Sequence, residues 1–336
     1  MFTKIYERFK RFIKENYKEL IVYIIVLVLV TYPLPYYIYI GGGIEDLNKR
    51  IDLKSNETGS YNMAYVKEMH ATIPTYLLSF VIKTWDLESI NALKFSEDED
   101  DRNIDIREKL YLEEANNNAI INAYTKAEKD VEIIDNSYKV IYISEYSDTN
   151  IQIGDTLVSV NGVKINNNTE YKEYIKTLEV NSKVEVIVKR NEELVTCYAK
   201  LIEKDNEKIM GLYLVNVIDY KVDPPINLSF KWNESGPSAG FMLSLAIYDK
   251  LVSEDLTKGR MIVGTGTIDI NGNVGAIGGV KYKLMGAVQS KADIFFVPGE
   301  NYEEAMEVKK KFNYDIKVVK VDTLDDAINY LKNTKK

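Results

Sequence analysis

The chain of 336 residues contains one cysteine, Cys197, and one histidine, His70. A single cysteine excludes an intramolecular disulfide and any zinc site built from several cysteines. Histidine is the usual proton acceptor in enzymes that work near neutral pH. A catalytic scheme for this chain must therefore either use His70 or employ a different kind of base.

Positive charge is also scarce. The chain has 43 Lys and Arg against 51 Asp and Glu, which gives a formal net charge of −8. Nucleic-acid binding needs clustered basic side chains, so no nucleic-acid partner is expected. Hydrophobic residues make up 46% of the chain, whereas Gly and Pro number only 18 and 7, a composition typical of folded domains. The length suits at least two of them.

Residues 20–44 contain no charged side chain, and residues 1–19 before them carry six basic and three acidic ones. A bilayer core is crossed by about 20 apolar residues in a helix. The run therefore predicts a transmembrane signal anchor over 20–35, ended by Pro33 and Pro35. The basic flank predicts a cytoplasmic N-terminus and a single-pass protein of the cell membrane, with the rest of the chain outside the cytoplasm. One alternative is a buried core helix, which is not expected because no polar face interrupts the run. The other is a cleaved signal peptide, but no small-residue cleavage site follows the run.

A run of short predicted strands fills the middle of the chain, and one predicted helix, Glu170–Thr177, interrupts it. The predicted strands are Val131–Ile134, Lys139–Ile143, Thr156–Val160, Lys183–Lys189 and Glu193–Leu201. Within this run, Ile153–Gly162 reads IGDTLVSVNG, a turn, an alternating strand and an Asn-Gly hairpin turn. This segment resembles the central strand of PDZ domains, and the resemblance covers residues 110–204. PDZ domains bind extended peptides as an added strand. The resemblance implies that protein or peptide substrates are held here, and the loop for a chain-end carboxylate is expected at Asp135–Tyr138.

Residues 236–240 read Gly-Pro-Ser-Ala-Gly, between a predicted strand, Asn227–Trp232, and a predicted apolar helix, Ala239–Val252. A serine at a tight turn before a helix has the geometry of a nucleophile, because helix N–H groups can stabilise an oxyanion. The α/β-hydrolases, which share such a turn, need an acid and then a histidine after the serine. No histidine follows Ser238, and the sequence around His70 does not mark it as catalytic, so a Ser–His triad is not expected.

A lysine can act as the base when burial lowers its pKa towards neutrality. Lys281 follows two glycines and a valine at a predicted helix start, after a long uncharged run. By this context alone, Lys281 is equally consistent with a catalytic base and with a surface lysine at the start of a helix.

The segments GPSAG and GTGTIDINGNVGAIGGVKYKL together resemble the proteolytic domain of Lon proteases, over residues 205–336. The resemblance implies that Ser238 is the nucleophile and that Lys281, 43 residues later, is the base. It also implies that Thr265 is a hydrogen-bond partner of the lysine amine, and that N–H groups near Ser238 and Ala239 stabilise the oxyanion.

Two positions depart from the Lon pattern: Ser235 and Thr267 stand where many Lon enzymes have acidic residues. The acidic surroundings of the site are therefore expected to differ. The chain also contains no G-x-x-x-x-G-K-[S/T] motif. The resemblance thus implies cleavage that does not depend on ATP.

The whole layout is similar to bacterial membrane-anchored, PDZ-containing Lon-like proteases. It implies an α+β fold with a transmembrane anchor, a connecting region over 36–109, a PDZ-like β-domain and a Lon-type proteolytic domain. The implied function is a serine endopeptidase, without cofactor or metal, that cuts unfolded or exposed segments of extracytoplasmic or membrane proteins. Lon-type domains often form rings, so a homo-oligomer is expected. The alternative is a catalytically silent scaffold whose PDZ-like domain recruits membrane or secreted partners.

Overall fold

The computed structural model of the chain describes residues 2–54, 57–97, 99–165, 167–231 and 234–335. The chain forms two compact units, of which the first comprises residues 1–41 and 66–92 and the second comprises residues 42–65 and 93–336.

The helices of the described residues are α1 (Phe2–Glu15), α2 (Tyr17–Thr31), α3 (Ile73–Ser79), α4 (Asp101–Lys126), α5 (Asn168–Thr177), α6 (Gly240–Leu251), α7 (Val280–Gln289), α8 (Tyr302–Phe312) and α9 (Leu324–Asn333), with 3₁₀ turns at Leu47–Lys49 and Gly299–Asn301. The strands are β1 (Tyr36–Asp46), β2 (Ser60–His70), β3 (Asp86–Ser89), β4 (Asp130–Ile143), β5 (Thr156–Val160), β6 (Val163–Lys164), β7 (Lys183–Arg190), β8 (Glu193–Lys200), β9 (Ile202–Lys204), β10 (Glu207–Ile209), β11 (Leu212–Asp223), β12 (Met261–Gly264), β13 (Thr267–Ile268), β14 (Val274–Gly275), β15 (Ile294–Pro298) and β16 (Lys317–Val321).

In the first unit, the uncharged run that begins at Leu20 is divided between a helix and a strand. Helix α2 ends at Thr31, Pro33 and Pro35 follow, and β1 begins at Tyr36. The 15 residues of α2 rise about 22 Å, less than the roughly 30 Å of a bilayer core. Nowhere in the described part of the chain is a helix both long and apolar enough to cross a membrane. The predicted transmembrane signal anchor over 20–35 is therefore wrong, and the cellular location that depended on it stays a prediction.

The second unit contains an antiparallel sheet with the strand order β11-β4-β5-β7-β8, in which β6 pairs with β5. Alternate residues of β7 are buried: Val184, Val186 and Val188 face the core, where Ile175 of α5 packs near them. The strands predicted around residues 156–160 and 183–201, and the helix between them, are confirmed. Two short strands predicted between residues 131 and 143 form one long strand, β4, instead.

The same unit contains a second sheet, in which β16, β15, β12 and β2 follow one another as parallel neighbours. Helix α6 is buried along most of its length, from Gly240 to Asp249. A helix that is apolar on all sides is stable only inside a core. The predicted mixture of helices and sheets, an α+β fold, is confirmed.

Helix α4 packs both against the core around α6 and against the antiparallel sheet. Ala119 joins the core around α6, whereas Leu110 packs with Ile141, Val215 and Val217 of β4 and β11. The predicted bound between the connecting region and the PDZ-like domain, at residue 110, lies inside this helix. The domain bounds as a whole stay predictions.

Candidate active site

Ser238 lies, half-buried, in the turn that leads into α6. Gly236 opens this turn with a left-handed φ of +82°, a conformation that residues with a Cβ rarely adopt. The carbonyl oxygen of Ser238 accepts a hydrogen bond from the Gly266 N–H at 2.9 Å, and the Phe241 N–H donates to the Gly266 carbonyl oxygen at 3.1 Å. Two backbone hydrogen bonds thus attach the turn to the segment that follows β12.

The surroundings of this turn differ in part from the prediction. Over residues 227–231 the predicted strand is not formed, and Leu228 makes an isolated bridge to Ile51. Trp232, the last residue of that prediction, lies outside the described residues. The predicted helix is confirmed as α6, with Ala239 at its N-cap. The helix N-terminus therefore lies directly after Ser238, as oxyanion stabilisation by N–H groups would require.

Two lysines stand in the first turns of α7, which follows the left-handed Gly279. Lys281 is half-buried, and its Nζ lies 5.3 Å from the centroid of the Tyr282 ring. Lys283 is 5% exposed, and its Nζ donates a hydrogen bond to Thr265 Oγ1 at 3.2 Å. Successive helix residues are rotated by about 100°, so positions 281 and 283 face nearly opposite sides. The structure brings Lys283 to Thr265, the residue predicted as the partner of Lys281.

The surroundings of Lys283 favour a neutral amine. Burial lowers the pKa of the Lys283 amine to about 8, because the charged form loses its hydration. Thr265 is fully buried, and its hydroxyl both accepts the hydrogen bond from Lys283 and donates one to the Ser238 carbonyl oxygen at 3.1 Å. A single hydroxyl thus connects the amine to the main chain of the candidate nucleophile. An amine with this pKa is partly deprotonated near neutral pH and can accept a proton.

A signal in the sequence could have identified Lys283. Val280, Leu284 and Ala287 are buried, and they define an apolar stripe at helical spacing along α7. Position 283 lies within that stripe, three residues after Val280, whereas position 281 lies outside it. A lysine inside an apolar stripe is the one whose pKa burial would lower.

The only histidine of the chain is placed elsewhere. His70 is exposed at the end of β2, and its ring centroid lies 4.5 Å from that of Tyr37. It belongs to the first unit, whereas Ser238 belongs to the second. Across the described ranges, no cluster of three or more His, Cys, Asp or Glu side chains is arranged to hold a metal ion.

A groove of about 430 Å³ lies between α5 and the segment that carries β10 and β11. Tyr171 and Ile175 of α5 line one wall, and residues 209–214 line the other. Among the strands described, β11 is the last of its sheet and has a strand neighbour on one side, β4. An edge strand beside a groove can accept a further strand from another chain.

The loop expected to hold a chain-end carboxylate is not where it was predicted. Asp135–Tyr138 lies within β4 and pairs with β11, so it forms no loop. The turn before β11 lines the groove instead, and Gly211 in this turn has a left-handed φ of +69°. The Ser144 hydroxyl donates to the Gly211 carbonyl oxygen at 2.9 Å, and the Ser147 hydroxyl donates to the Met210 carbonyl oxygen at 3.0 Å. These hydrogen bonds hold the turn in place.

Two parts of the chain match known protein families. Residues 232–333 match the family model of the Lon protease (S16) C-terminal proteolytic domain, and residues 123–201 match that of the PDZ domain. The Lon protease of Campylobacter jejuni is 30% identical over 125 residues, which cover 32% of this chain and 15% of that protein. The Lon protease of Malacoplasma penetrans is 30% identical over 131 residues, which cover 36% of this chain and 16% of that protein. The chain therefore spans about 15% of the length of these relatives.

Among solved structures, the PDZ domain of an SdrC-like protein from Listeria monocytogenes is similar, with 19% identity and a TM-score of 0.23, over 25% of this chain and 93% of that one. The two family-model matches show that the chain contains a region homologous to the Lon proteolytic domain and a region homologous to PDZ domains. The former region includes Ser238 and both lysines, and its homology supports a serine peptidase.

Proposed function

We propose that the chain is a serine endopeptidase that works without ATP, with Ser238 as nucleophile and Lys283 as general base. The observation that carries the proposal is the chain of hydrogen bonds from the buried Lys283 amine through Thr265 to the Ser238 carbonyl. Lys283 takes the place of Lys281 in this scheme because a base must be desolvated to be neutral near pH 7. Lys281 is only half-buried on another side of α7.

In the proposed mechanism, the neutral Lys283 amine accepts the proton of the Ser238 hydroxyl while Oγ attacks the peptide carbonyl carbon. N–H groups at the start of α6, near Ser238 and Ala239, stabilise the oxyanion. The Lys283 ammonium then protonates the leaving amine as the C–N bond breaks. In the second half, Lys283 takes a proton from water, the resulting hydroxide attacks the acyl-enzyme, and Ser238 regains its proton. None of these steps uses a nucleotide, and the sequence contains no P-loop motif.

The test compares the chain with its Ser238→Ala variant on an unstructured peptide that carries a fluorophore and a quencher. The expected result is cleavage by the unchanged chain, with or without ATP, and none by the variant. Cleavage that survives Ser238→Ala would overturn the proposal. If the unchanged chain binds the peptide without cutting it, the alternative of a silent PDZ scaffold is favoured.

We propose further that the groove between α5 and β11 holds extended segments of protein substrates as an additional strand on β11. Support comes from the edge position of β11 and from the apolar lining supplied by Ile175, Leu212 and Leu214. Four lysines and two acidic residues line the groove as well: Lys172, Lys176, Lys204, Lys208, Asp205 and Glu207. This lining is net positive on a chain of net charge −8, so substrate segments with acidic residues beside apolar ones suit it best.

Self-association into a ring also stays a proposal. Analytical ultracentrifugation of the purified chain tests it directly. A single species at the mass of one chain, at concentrations where peptide cleavage is measured, would contradict it.

A further inference from the structure

The nucleophile turn is contacted by a residue that precedes it by more than a hundred positions. The Gly236 N–H donates a hydrogen bond to the carbonyl oxygen of Glu108 at 3.0 Å. A Cβ placed on Gly236 would lie 3.3 Å from Glu108 Oε2, so the carboxylate occupies the space beside this glycine. Gly236 stands two residues before Ser238. Glu108 lies in α4, outside the region homologous to the Lon proteolytic domain.

The carboxylate of Glu108 forms an ion pair with a buried guanidinium. Arg107 is 1% exposed, and its Nε lies 3.5 Å from Glu108 Oε1. The same guanidinium pairs with Glu99, donates from Nη2 to the Leu93 carbonyl oxygen at 2.6 Å and lies 3.9 Å from the centroid of the Phe95 ring. Burial raises the pKa of Glu108, and the charge of Arg107 opposes that rise. With its guanidinium held at several points, Arg107 places a fixed positive charge 3.5 Å from this carboxylate.

Helix α4 is itself anchored to the candidate active site. A Cβ placed on Gly240 would lie 3.3 Å from the Ala115 Cβ, which shows how closely α4 approaches the first turn of α6. Asn118 is buried, and its Nδ2 donates to the Ile268 carbonyl oxygen at 3.2 Å. The position of Glu108 relative to Ser238 is therefore set by packing and by hydrogen bonds farther along the same helix.

We infer that Glu108 is a positioning residue for Ser238, an inference that rests on the proposed function. The turn is held from two directions, at the Ser238 carbonyl by Thr265 and Gly266 and at Gly236 by Glu108. The hydrogen bond from Gly236 goes to the main-chain carbonyl of Glu108, which a change of side chain keeps, so the inference concerns the carboxylate that lies beside Gly236. Without the Glu108 side chain, Gly236 loses the contact that confines it on one side. The Ser238 hydroxyl then spends less time in the orientation that reacts. Such a change lowers kcat and leaves substrate binding almost unchanged.

The experiment compares Glu108→Ala with Glu108→Gln, which keeps the shape of the side chain. Glu113→Ala is the matched control, because Glu113 lies on the same helix but pairs with Lys139 of β4 at 3.0 Å. On a short unstructured peptide, Glu108→Ala is expected to lower kcat about tenfold with KM changed less than about twofold. Glu108→Gln should recover most of this loss, and Glu113→Ala should cleave at the rate of the unchanged chain.

Hydrogen–deuterium exchange over residues 234–240 provides a readout that needs no catalysis. The Gly236 amide is expected to exchange faster in Glu108→Ala than in Glu108→Gln or Glu113→Ala. If the unchanged chain cleaves nothing, the proposed function fails, and the exchange rates alone decide this inference. Equal exchange in the three variants overturns the inference. So does a Glu108→Ala variant that has unchanged kcat or that changes KM instead.

Discussion

The Nζ atom of Lys283 lies 3.2 Å from Oγ1 of Thr265, and these two side chains are only 5% and 0% exposed. A lysine amine is seldom buried so deeply, because its charge is costly to remove from water. Here the amine hydrogen-bonds a hydroxyl that also hydrogen-bonds the main chain of Ser238. The pair therefore combines a lowered pKa with a fixed place next to the candidate nucleophile.

The two lysines of α7 should differ sharply in their effect on catalysis. Lys283→Arg should reduce kcat/KM at least about a hundredfold, because an arginine stays protonated and cannot act as a base. Lys281→Arg should stay within about threefold of the unchanged chain, because a half-buried position accepts a longer cation. Peptide cleavage measures both variants. A large loss in Lys281→Arg with near-normal activity in Lys283→Arg would support Lys281, the base implied by the resemblance to Lon.

The pH dependence of cleavage should follow the Lys283 amine. The reactive form is neutral, and the pKa of this amine is about 8, so kcat/KM should rise with pH and reach half its maximum near that value. The measurement is a pH–rate profile on the short peptide, with Lys281→Ala as control, whose profile should be unchanged. A rate that does not vary between pH 6 and about 9 would contradict the assignment of Lys283 as base.

The buried Lys283 amine should also destabilise the fold at neutral pH. Its pKa of about 8 in the folded chain lies below the value of about 10.4 expected when unfolded. Below pH 8 the buried amine is charged in the folded chain, and the whole free-energy cost of burying this charge applies. The cost decreases as the pH rises towards the pKa of the lysine in the unfolded chain. Lys283→Met should therefore have a higher Tm than the unchanged chain at pH 7, and the difference should shrink towards pH 10.

Calorimetry at the two pH values tests this effect, with Lys281→Met as the control. The half-buried Lys281 keeps much of its hydration, so its replacement should change the Tm little at either pH. A Lys283→Met variant that is less stable than the unchanged chain at pH 7 would mean that the hydrogen bond to Thr265 outweighs the cost of burying the charge.

The turn before β11 offers a test of the groove. A Cβ on Gly211 would clash with the hydroxyls of Ser144 and Ser147, and its φ of +69° is left-handed. Gly211→Ala should displace this turn and weaken the binding of an extended peptide about tenfold or more, as fluorescence anisotropy would show. Gly162→Ala is the matched control, because its φ is +77° but a Cβ there meets nothing within 4 Å.

The two glycine variants should also differ in catalysis. Gly211→Ala should slow the cleavage of long unfolded proteins but not of a short peptide, because a proposed substrate groove contributes only to the binding of chains that occupy it. Gly162→Ala should change neither rate. Equal peptide binding by the two variants would contradict the proposal that this groove holds substrates.

Local pattern was sufficient to predict much of the second unit. The alternating faces of residues 156–160 and the Asn-Gly turn after them predicted β5 in the correct place. The same kind of reasoning was wrong for the uncharged run that begins at Leu20. A lack of charge indicates only that a segment is buried from water. It does not distinguish one long helix from a helix and a strand that are divided by prolines. Here Pro33 and Pro35 make that division.

The amino-acid sequence by itself determined that a serine turn precedes an apolar segment and that no histidine follows it, and its resemblance to Lon implied a lysine as the base. That resemblance implied Lys281, although the apolar stripe of α7 includes position 283. The tertiary structure decided the burial of the two side chains: α7 packs against Thr265, so Lys283 is 5% exposed whereas Lys281 is only half-buried. Glu108 could not be found from the serine motif at all. Its contact with Gly236 joins segments far apart in sequence, and such a contact forms only when α4 packs against the core.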